Sequence, residues 1–236
     1  MLRAYKFRLY PNREQKEYFA KCFGCVRFIY NQMLADKIKH YEKTGEMLNN
    51  TPAQYKKEYP WLKEVDSLAL ANAQLNLNKA YKNFFRDKSV GFPKFKSKKR
   101  NRHSYTTNNQ KGTIYIEDKY IKLPKLKSMV KIKQHRQFHG EIKSCTISKT
   151  PTNKYYISIL VDENIKQLPK SNNKVGIDLG IKDFAITSDG EIFENPKWLR
   201  KSEKRLQKLQ RDLSRKKKGS NNRNKARLKV AKLHEK

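Results

Sequence analysis

Two short apolar runs between residues 174 and 190 constrain the fold of this chain more than any other feature. They are Val175–Leu179 and Phe184–Thr187, and a tight connection of four residues joins them. This arrangement predicts two antiparallel strands in a hairpin. The first run is apolar apart from Asp178. A buried strand tolerates an acid when that acid is paired or binds a metal, because an isolated buried charge is strongly destabilising. Asp178 is therefore a candidate metal ligand.

The chain is strongly basic on both sides of this hairpin. Its 236 residues include 55 Lys and Arg against 22 Asp and Glu, which gives a formal net charge of +33. A charge this high exceeds what solubility requires and predicts a polyanionic partner. Nucleic acid is the first choice and an anionic membrane surface the second. The 13 Tyr and 11 Phe residues, which lie among the basic ones, favour nucleic acid because aromatic rings stack on bases.

Several classes of protein are excluded by pattern. No apolar window approaches the ~18 residues that a membrane span requires. The first residues form no apolar signal segment. Three cysteines, an odd number, do not make a disulfide framework and indicate a reducing compartment. We expect a cytoplasmic, nucleoid-associated bacterial protein.

The first 90 residues predict one strand followed by three helices. Residues 2–10 alternate apolar with basic or polar side chains, which is typical of a strand. Asn12 with Gln15 three residues later predicts the start of a long helix that ends at about Tyr41. Two further helices follow, and we expect Ser67 to be the N-cap of the second. That last helix is expected to bury Leu68, Ala71, Leu75, Tyr81 and Phe85.

A strongly basic segment follows at residues 86–102. Gly91 and Pro93 exclude a helix there, and Phe92 and Phe95 lie among its basic residues. A charge run is often a solvated linker, and that alternative stays open. The interleaved aromatic rings favour contact with nucleic acid.

The remaining residues predict a β-rich region and then a basic helical end. Residues 104–161 contain six short strand patterns separated by turn signals, and with the N-terminal strand they predict a small barrel. A third strand at Glu191–Phe193 follows the hairpin of residues 174–190. From about Pro196 onward a basic helix, split near residues 217–222, predicts a helical hairpin with a narrow apolar seam. The seam consists of Leu206, Leu209 and Leu213.

Three alternatives concern the possible sites. Actin-like and sugar-kinase ATPases begin with a similar GIDLG, but small residues must then cradle phosphate, and here the bulky Ile181 follows. Cys22 and Cys25 have metal-like spacing, but one pair is half of a tetrahedral site and lies at core-facing helical steps, so we expect packing. For Asp178, the alternative is a turn residue that makes local hydrogen bonds.

Four segments of the chain, in this order, resemble TnpB, the OrfB-type protein of bacterial insertion sequences. They are YKFRLYPNREQ, CFGCVRFIYN, LNKAYKNFFR followed by GFPKFKSKK, and GIDLGIKDFAITSDG. The resemblance covers essentially the whole chain. It implies an α+β fold in which a wedge-type β-barrel is interrupted by a helical recognition lobe. The N-terminal part of an RNase H-like (RuvC) domain with a basic helical hairpin then follows. The expected bounds are 1–11 for the first barrel strand, 12–90 for the helical lobe, 91–170 for the barrel and 174–236 for the partial RuvC-like domain.

The resemblance also implies a function and a set of site residues. The family binds a guide RNA made from the transposon end, recognises a short motif beside a double-stranded DNA target and cuts with two magnesium or manganese ions. Asp178 matches its first catalytic, metal-binding acid. Asn72, Thr107 and Asn108 match places where the family meets the target-adjacent motif, and amide side chains can read base edges. Phosphates of guide or target are expected at Lys94, Lys96, Lys98, Lys99 and Arg100.

The sequence departs from the family pattern after the basic helices. There the family has a second catalytic Glu, a zinc-binding pair of CxxC motifs and a third catalytic Asp, and these 236 residues contain none of them. Zinc is expected only in that missing part. We therefore expect a truncated chain that is inactive on its own. The alternative is a non-catalytic RNA-guided or DNA-binding protein that acts as a repressor.

Overall fold

The computed structural model describes residues 1–99, 103–164, 169 and 172–235. The chain divides into two compact units, residues 1–165 and 166–236.

The first unit is built on a seven-stranded antiparallel sheet that curls around its helices. Its order is β2-β6-β7-β1-β5-β4-β3, so the N-terminal strand joins the later strands, as the sequence predicts, and lies between β7 and β5. Among the described residues β2 and β3 do not pair, so the sheet stays open and is not a hydrogen-bonded barrel. The strands are β1 Leu2–Tyr10, β2 His103–Asn108, β3 Tyr115–Glu117, β4 Tyr120–Lys122, β5 Val130–Lys133, β6 Glu141–Lys149 and β7 Tyr155–Asp162.

The helices of this unit lie between β1 and β2 in the chain. They are α1 Arg13–Thr44, α2 Pro52–Glu58, a 3₁₀ turn at Pro60–Glu64 and α3 Ser67–Arg86. The predicted capping box of α1 is present: Asn12 accepts from the Gln15 backbone, and the Gln15 side chain accepts from the Asn12 backbone. Gly45 ends α1 with φ of 73°, a left-handed conformation that glycine adopts without strain.

One core holds the sheet and the helices together. Phe19 of α1 lies with its ring centroid 6.3 Å from that of Tyr105 on β2 and 5.9 Å from that of Tyr155 on β7. Alternate residues of each strand point inward, as the period-two pattern predicts. The largest buried side chains include Phe7, Phe19, Ile29, Met33, Leu34, Leu70 and Leu77.

The buried face of α3 differs in part from the predicted one: Tyr81 is buried as expected, and Leu68 and Ala71 are half-buried. Leu75 and Phe85 are 58% and 64% exposed, whereas the buried residues are Ala69, Leu70, Ala73, Leu77 and Tyr81. Both stripes are apolar. The buried stripe includes the small Ala69 and Ala73, and small residues allow a helix to pack closely. The N-cap also moves by one residue, since Asp66 occupies it and Ser67 is the first helical residue.

The second unit contains a small sheet and a helical hairpin. Its strands, in the order β10-β9-β8, are β8 Ile177–Asp178, β9 Asp183–Thr187 and β10 Ile192–Glu194. The predicted third strand is thus shifted by one residue. The helices α4 Trp198–Ser214 and α5 Asn221–His234 form the predicted hairpin, and Leu206, Leu209 and Leu213 are half-buried along its seam. Arg223 of α5 closes it by donating to the carbonyls of Leu213 and Lys216, at 3.0 and 2.8 Å.

Candidate nucleic-acid interface and metal-binding acid

Asp178 ends β8, which is an edge strand of the small sheet. It pairs with Ile186 of β9, and its side chain is exposed and has no hydrogen bond or ion pair among the described residues. The neighbouring Ile177 and Leu179 are 61% and 71% exposed. The expectation that this acid lies in a buried strand is therefore wrong, because β8 is solvent-accessible on both faces.

The carboxylates of this unit do not gather around Asp178. Among the described residues, no group of three or more His, Cys, Asp or Glu side chains is placed to hold a metal ion. Magnesium is usually bound by one or two carboxylates together with waters and substrate phosphates. One exposed carboxylate fits a single ligand of such a site and does not fit a complete two-metal centre. We derive no catalytic step through a metal from these residues.

Asn72 and Asn108 meet where the second turn of α3 approaches the end of β2. The Asn72 Nδ2 donates to the carbonyl of Leu68 at 2.8 Å and to Asn108 Oδ1 at 3.4 Å. Both side chains are half-buried. With the amides in this orientation, Asn72 Oδ1 and Asn108 Nδ2 have no partner within the described part of the chain. One acceptor and one donor are thus presented side by side.

Thr107 is fully buried, unlike the half-buried Asn72 and Asn108. Its side chain is 1% exposed, and its hydroxyl donates to the carboxylate of Asp66, the N-cap residue of α3. The expected direct contact between Thr107 and DNA does not fit this burial. The hydroxyl instead ties β2 to the start of α3, which positions Asn72 and Asn108 relative to each other.

The basic segment is fastened to α1 by one side chain. Asn31 Nδ2 donates to the carbonyl of Lys96, and Asn31 Oδ1 accepts from the Lys96 backbone N–H, both at 2.8 Å. The Lys96 ammonium lies 3.7 Å from the ring centroid of Tyr30, and burial lowers its pKa. Lys96 therefore anchors the segment. Its neighbours Lys94, Lys98 and Lys99 are exposed, and Arg100 lies outside the described residues.

The two phenylalanines of this segment have different environments. The ring of Phe92 packs edge-on against Tyr81 and Phe84, with centroids 5.5 Å away from each. Phe95 is 57% exposed. Phe92 is also 45% exposed, but its ring contacts fix the segment to α3, whereas Phe95 is the more exposed ring and is available for stacking on bases.

A group of positive charges surrounds His103 at the start of β2. The pKa of His103 is lowered by burial and then by the charges of Lys149, Arg27 and Lys98. Sequence patterns selected Lys98 alone, because Arg27 lies on α1 and Lys149 on β6. Only the tertiary fold brings them together beside the basic segment.

The cysteines are packing residues, as the sequence predicts. Cys22 and Cys25 are buried in α1, and burial raises the pKa of the two thiols to about 12 and about 11. Neutral thiols in an apolar setting are poor metal ligands, because the ligand is the thiolate.

The fold and the site define a strongly basic α+β protein that carries an exposed run of lysines and a pair of contacting asparagines. A sequence profile described as a helix-turn-helix domain of OrfB type matches residues 1–46, and one described as a probable transposase, also of OrfB type, matches residues 156–236. In this structure residues 1–46 comprise β1, the single long helix α1 and its cap.

Two curated proteins match almost the whole chain. A putative RNA-guided DNA endonuclease of Streptomyces pristinaespiralis is 35% identical over 243 residues, which cover 98% of this chain and 59% of that protein. The putative RNA-guided DNA endonuclease InsQ of Escherichia coli K12 is 35% identical over 241 residues, which cover 99% and 59%. The chain spans about three fifths of the length of these relatives. It belongs to the OrfB, or TnpB-type, family of insertion-sequence proteins.

A solved structure also aligns with most of this chain. The cryo-EM structure of a CRISPR-Cas12f ternary complex aligns with 95% of this chain and 57% of that chain, at a TM-score of 0.43 and 13% identity. No residue assignment follows from a likeness of this size. Within the described ranges, every helix is too short or too polar to cross a membrane.

Proposed function

We propose that this protein functions as an RNA-guided DNA endonuclease of the transposon-associated TnpB type. In this proposal residues 1–236 supply nucleic-acid recognition and one metal-binding acid. The observation that carries it is 35% identity, over nearly the whole chain, to two relatives named as putative RNA-guided DNA endonucleases. The net charge of +33 supports a polyanionic partner.

The proposal assigns a role to each part of the chain. Residues 12–90 act as the recognition lobe, residues 1–11 and 91–170 as the wedge-type β module, and residues 174–236 as the first part of a RuvC-like domain. The partners are a guide RNA from the transposon end and a double-stranded DNA target, in the bacterial cytoplasm.

The paired amides are the proposed readers of the target-adjacent motif. Asn72 Oδ1 and Asn108 Nδ2 offer an acceptor and a donor, the combination that adenine presents in complementary form in the major groove. Lys94, Lys98 and Lys99 carry exposed ammonium groups suited to backbone phosphates. Thr107 and Lys96 hold these groups in place through Asp66 and Asn31.

Asp178 is the proposed first metal-binding acid. Magnesium or manganese, when bound, would activate water and stabilise the leaving oxygen of a phosphodiester. Because the described residues bring no group of acids together, we expect these 236 residues alone to bind RNA and DNA without cutting.

The RNA that co-purifies with the protein tests the proposal. The chain would be expressed in cells that carry the transposon end, and its bound RNA sequenced. Strong enrichment of a transcript from the transposon end is expected. Random cellular RNA would refute RNA guidance. Magnesium-dependent plasmid cleavage by this chain, abolished in Asp178→Ala, would refute the predicted inactivity.

A second candidate is an RNA-guided DNA-binding repressor without nuclease activity. The isolated position of Asp178 among the described residues favours it. Asp178→Ala separates the two functions in cells. Repression of a promoter beside the target persists in the variant if the protein acts by binding, whereas loss of a target plasmid disappears if it acts by cutting.

A further inference from the structure

The outer face of the seven-stranded sheet carries a second concentration of cations and tyrosines. The strand register places Tyr156 opposite Arg8 and Arg8 opposite Lys133. Two residues further along β1, on the same face, Tyr10 lies opposite Lys131, which in turn lies opposite Tyr120. These two cross-strand rows, Tyr156–Arg8–Lys133 and Tyr10–Lys131–Tyr120, contain no acid. We call them the tyrosine–cation rows.

Arg8 is held at the centre of these rows by aromatic rings. Its guanidinium carbon lies 5.1 Å from the ring centroid of Tyr156 and 5.6 Å from that of Tyr10. The Lys6 ammonium lies 4.9 Å from the Tyr156 ring. Rings orient a cation without neutralising it, so two positive charges are fixed here in advance of any ligand.

These charges have no acidic partner among the residues that the structure describes. Among the described residues, none of the four ion pairs involves Lys6, Arg8, Lys131 or Lys133. The Nη1 atom of Arg8 is buried and lacks any hydrogen-bond partner in that part of the chain. Buried donors in native proteins are nearly always satisfied. An oriented, uncompensated guanidinium beside further lysines is suited to a phosphate group.

A depression and a row of hydroxyls extend the same face. The depression has a volume of about 520 Å³ and is lined by Tyr10, Lys119, Lys131, Ile132, Lys133 and Gln134. On the other side of Arg8, the register runs from Lys6 to Ser158, Thr146 and Thr106, and the two threonine Oγ1 atoms lie 2.8 Å apart. Hydroxyls can both donate to and accept from a ribose 2′-OH.

We propose that this face binds a segment of single-stranded RNA. Phosphates contact Arg8, Lys131 and Lys133, an unstacked base lies against the exposed ring of Tyr10, and the hydroxyl row faces ribose. Stacking on an open sheet surface is a recurring mode of RNA recognition. The inference deepens the proposed function and rests on it for the choice of RNA, but the site is tested separately.

Binding of defined oligonucleotides provides the test. The probes are a fluorescent oligouridylate of about 12 nucleotides, within the ~4–16 that small β folds occupy, and the matched oligodeoxyuridylate. Arg8→Gln with Lys131→Gln is expected to weaken RNA binding about 10- to 100-fold and to lower the salt slope by about 1.4, since each phosphate contact on a single strand contributes ~0.7. Thermal unfolding verifies that the variant is folded.

Two further variants keep the test selective. Lys39→Gln with Lys43→Gln removes the same charge from exposed positions on α1 and is expected to change affinity less than about threefold. Tyr10→Ala, at a side chain that is 50% exposed, is expected to weaken RNA binding at least about fivefold with little effect on stability. Equal losses in the two double variants would overturn the site. Equal losses for DNA and RNA would overturn the assignment to RNA.

The oligonucleotide test of the site and the sequencing test of the bound RNA can fail independently of each other. If transposon-end RNA co-purifies with the protein but the Arg8 and Tyr10 variants bind oligouridylate normally, this inference fails and the proposed function stands. If random RNA co-purifies and those variants still lose binding, the site stands and the proposed function fails. Cross-links from 4-thiouridine RNA to the peptide that contains Tyr10 are expected only if the site is occupied.

Discussion

The side-chain amide of Asn31 binds both backbone polar atoms of Lys96, although the two residues are 65 positions apart in the chain. These two 2.8 Å hydrogen bonds resemble the backbone pairing between neighbouring strands, but they join a side chain of α1 to an irregular segment. It holds the basic segment against α1 and directs Lys94, Lys98 and Lys99 to solvent. The positions of these lysines therefore depend on a residue that itself touches no ligand.

Replacing Asn31 with Ala is expected to lower the free energy of unfolding by about 1–3 kcal/mol, because two partly buried backbone groups lose their partners. Nucleic-acid affinity should fall as well, since the segment is released. Urea unfolding and oligonucleotide binding measure the two effects. Gln32→Ala is the matched control: its amide makes only a 3.4 Å bond to Asp36 within the same helix, and a change below about 0.5 kcal/mol is expected. Equal effects of the two substitutions would contradict the anchoring role.

Thr107 and Asn108 are adjacent but should behave differently. Thr107→Val removes the hydroxyl bonded to Asp66 and is expected to reduce stability by about 1.5–3 kcal/mol, with Thr107→Ser close to the wild type. Asn108→Ala should leave stability within about 0.5 kcal/mol, because its contact with Asn72 is a long 3.4 Å bond. It should instead cost about 1–3 kcal/mol of discrimination between target-adjacent motifs. Motif-selection assays and thermal unfolding on the same proteins separate the two roles.

Asp178→Ala should leave the stability of the folded protein unchanged. The exposed carboxylate has no partner among the described residues, so the free energy of unfolding is expected to stay within about 0.5 kcal/mol. Binding of RNA in the presence of a chelator should likewise be unchanged. Calorimetry and a binding titration check this, and a loss above about 1 kcal/mol would show that the acid is structural.

Local features of this fold were predictable from sequence, and non-local ones were not. The capping box of Asn12 and Gln15 is encoded within four residues, so pattern alone located the start of α1. The buried face of α3 was missed because Leu75 and Ala73 lie on competing apolar stripes, and only packing decides between them. The tyrosine–cation rows depend on the register between β1 and β7, which are about 150 residues apart in the chain. No local pattern specifies that register.

The candidate site divides in the same way. Asp178 was proposed from the apolar pattern of its own strand, the lysines from a basic segment with interleaved aromatic rings, and Asn108 from the resemblance to a family. Asn31, Arg27 and Lys149 were not found, since their roles arise only when α1 and β6 meet the segment. The burial of Thr107 was not foreseen, although alternation along β2 places residues 105 and 107 on the same inward face.

The cysteine thiols should be unreactive in the folded protein. Burial raises the pKa of Cys25 from 9.0 to about 11, so its thiolate fraction at pH 8 is about 100-fold lower than that of a free thiol. Iodoacetamide labelling followed by mass spectrometry should show slow modification until urea unfolds the chain. Burial of the neutral Cys25 thiol also makes the stability depend on pH. Because the folded pKa lies above the unfolded value, the stability that comes from keeping this thiol neutral is present below pH 9 and is lost as the pH rises through 11. Fast labelling of Cys22 or Cys25 at pH 8 would contradict the buried arrangement.

The pKa of His103 should report where phosphates bind. Burial lowers it, and the charges of Lys149, Arg27 and Lys98 lower it further. The pKa of His103 is lower in the folded protein than the value of 6.5 in the unfolded chain. The stability that comes from keeping the His103 ring neutral is therefore present above pH 6.5 and is lost as the pH falls through the folded pKa. His103→Gln should therefore reduce the loss of stability on acidification.

A phosphate held by the cations around His103 offsets their charge, so RNA binding should raise the pKa of this residue. An NMR titration of the His103 ring with and without oligonucleotide measures the change. Lys98→Gln is the companion variant: it should raise the His103 pKa in the free protein and reduce the further increase on binding, because one of the repelling charges is already gone. An unaltered His103 pKa in the wild-type complex would place the phosphates elsewhere and would remove Lys98 from the proposed interface.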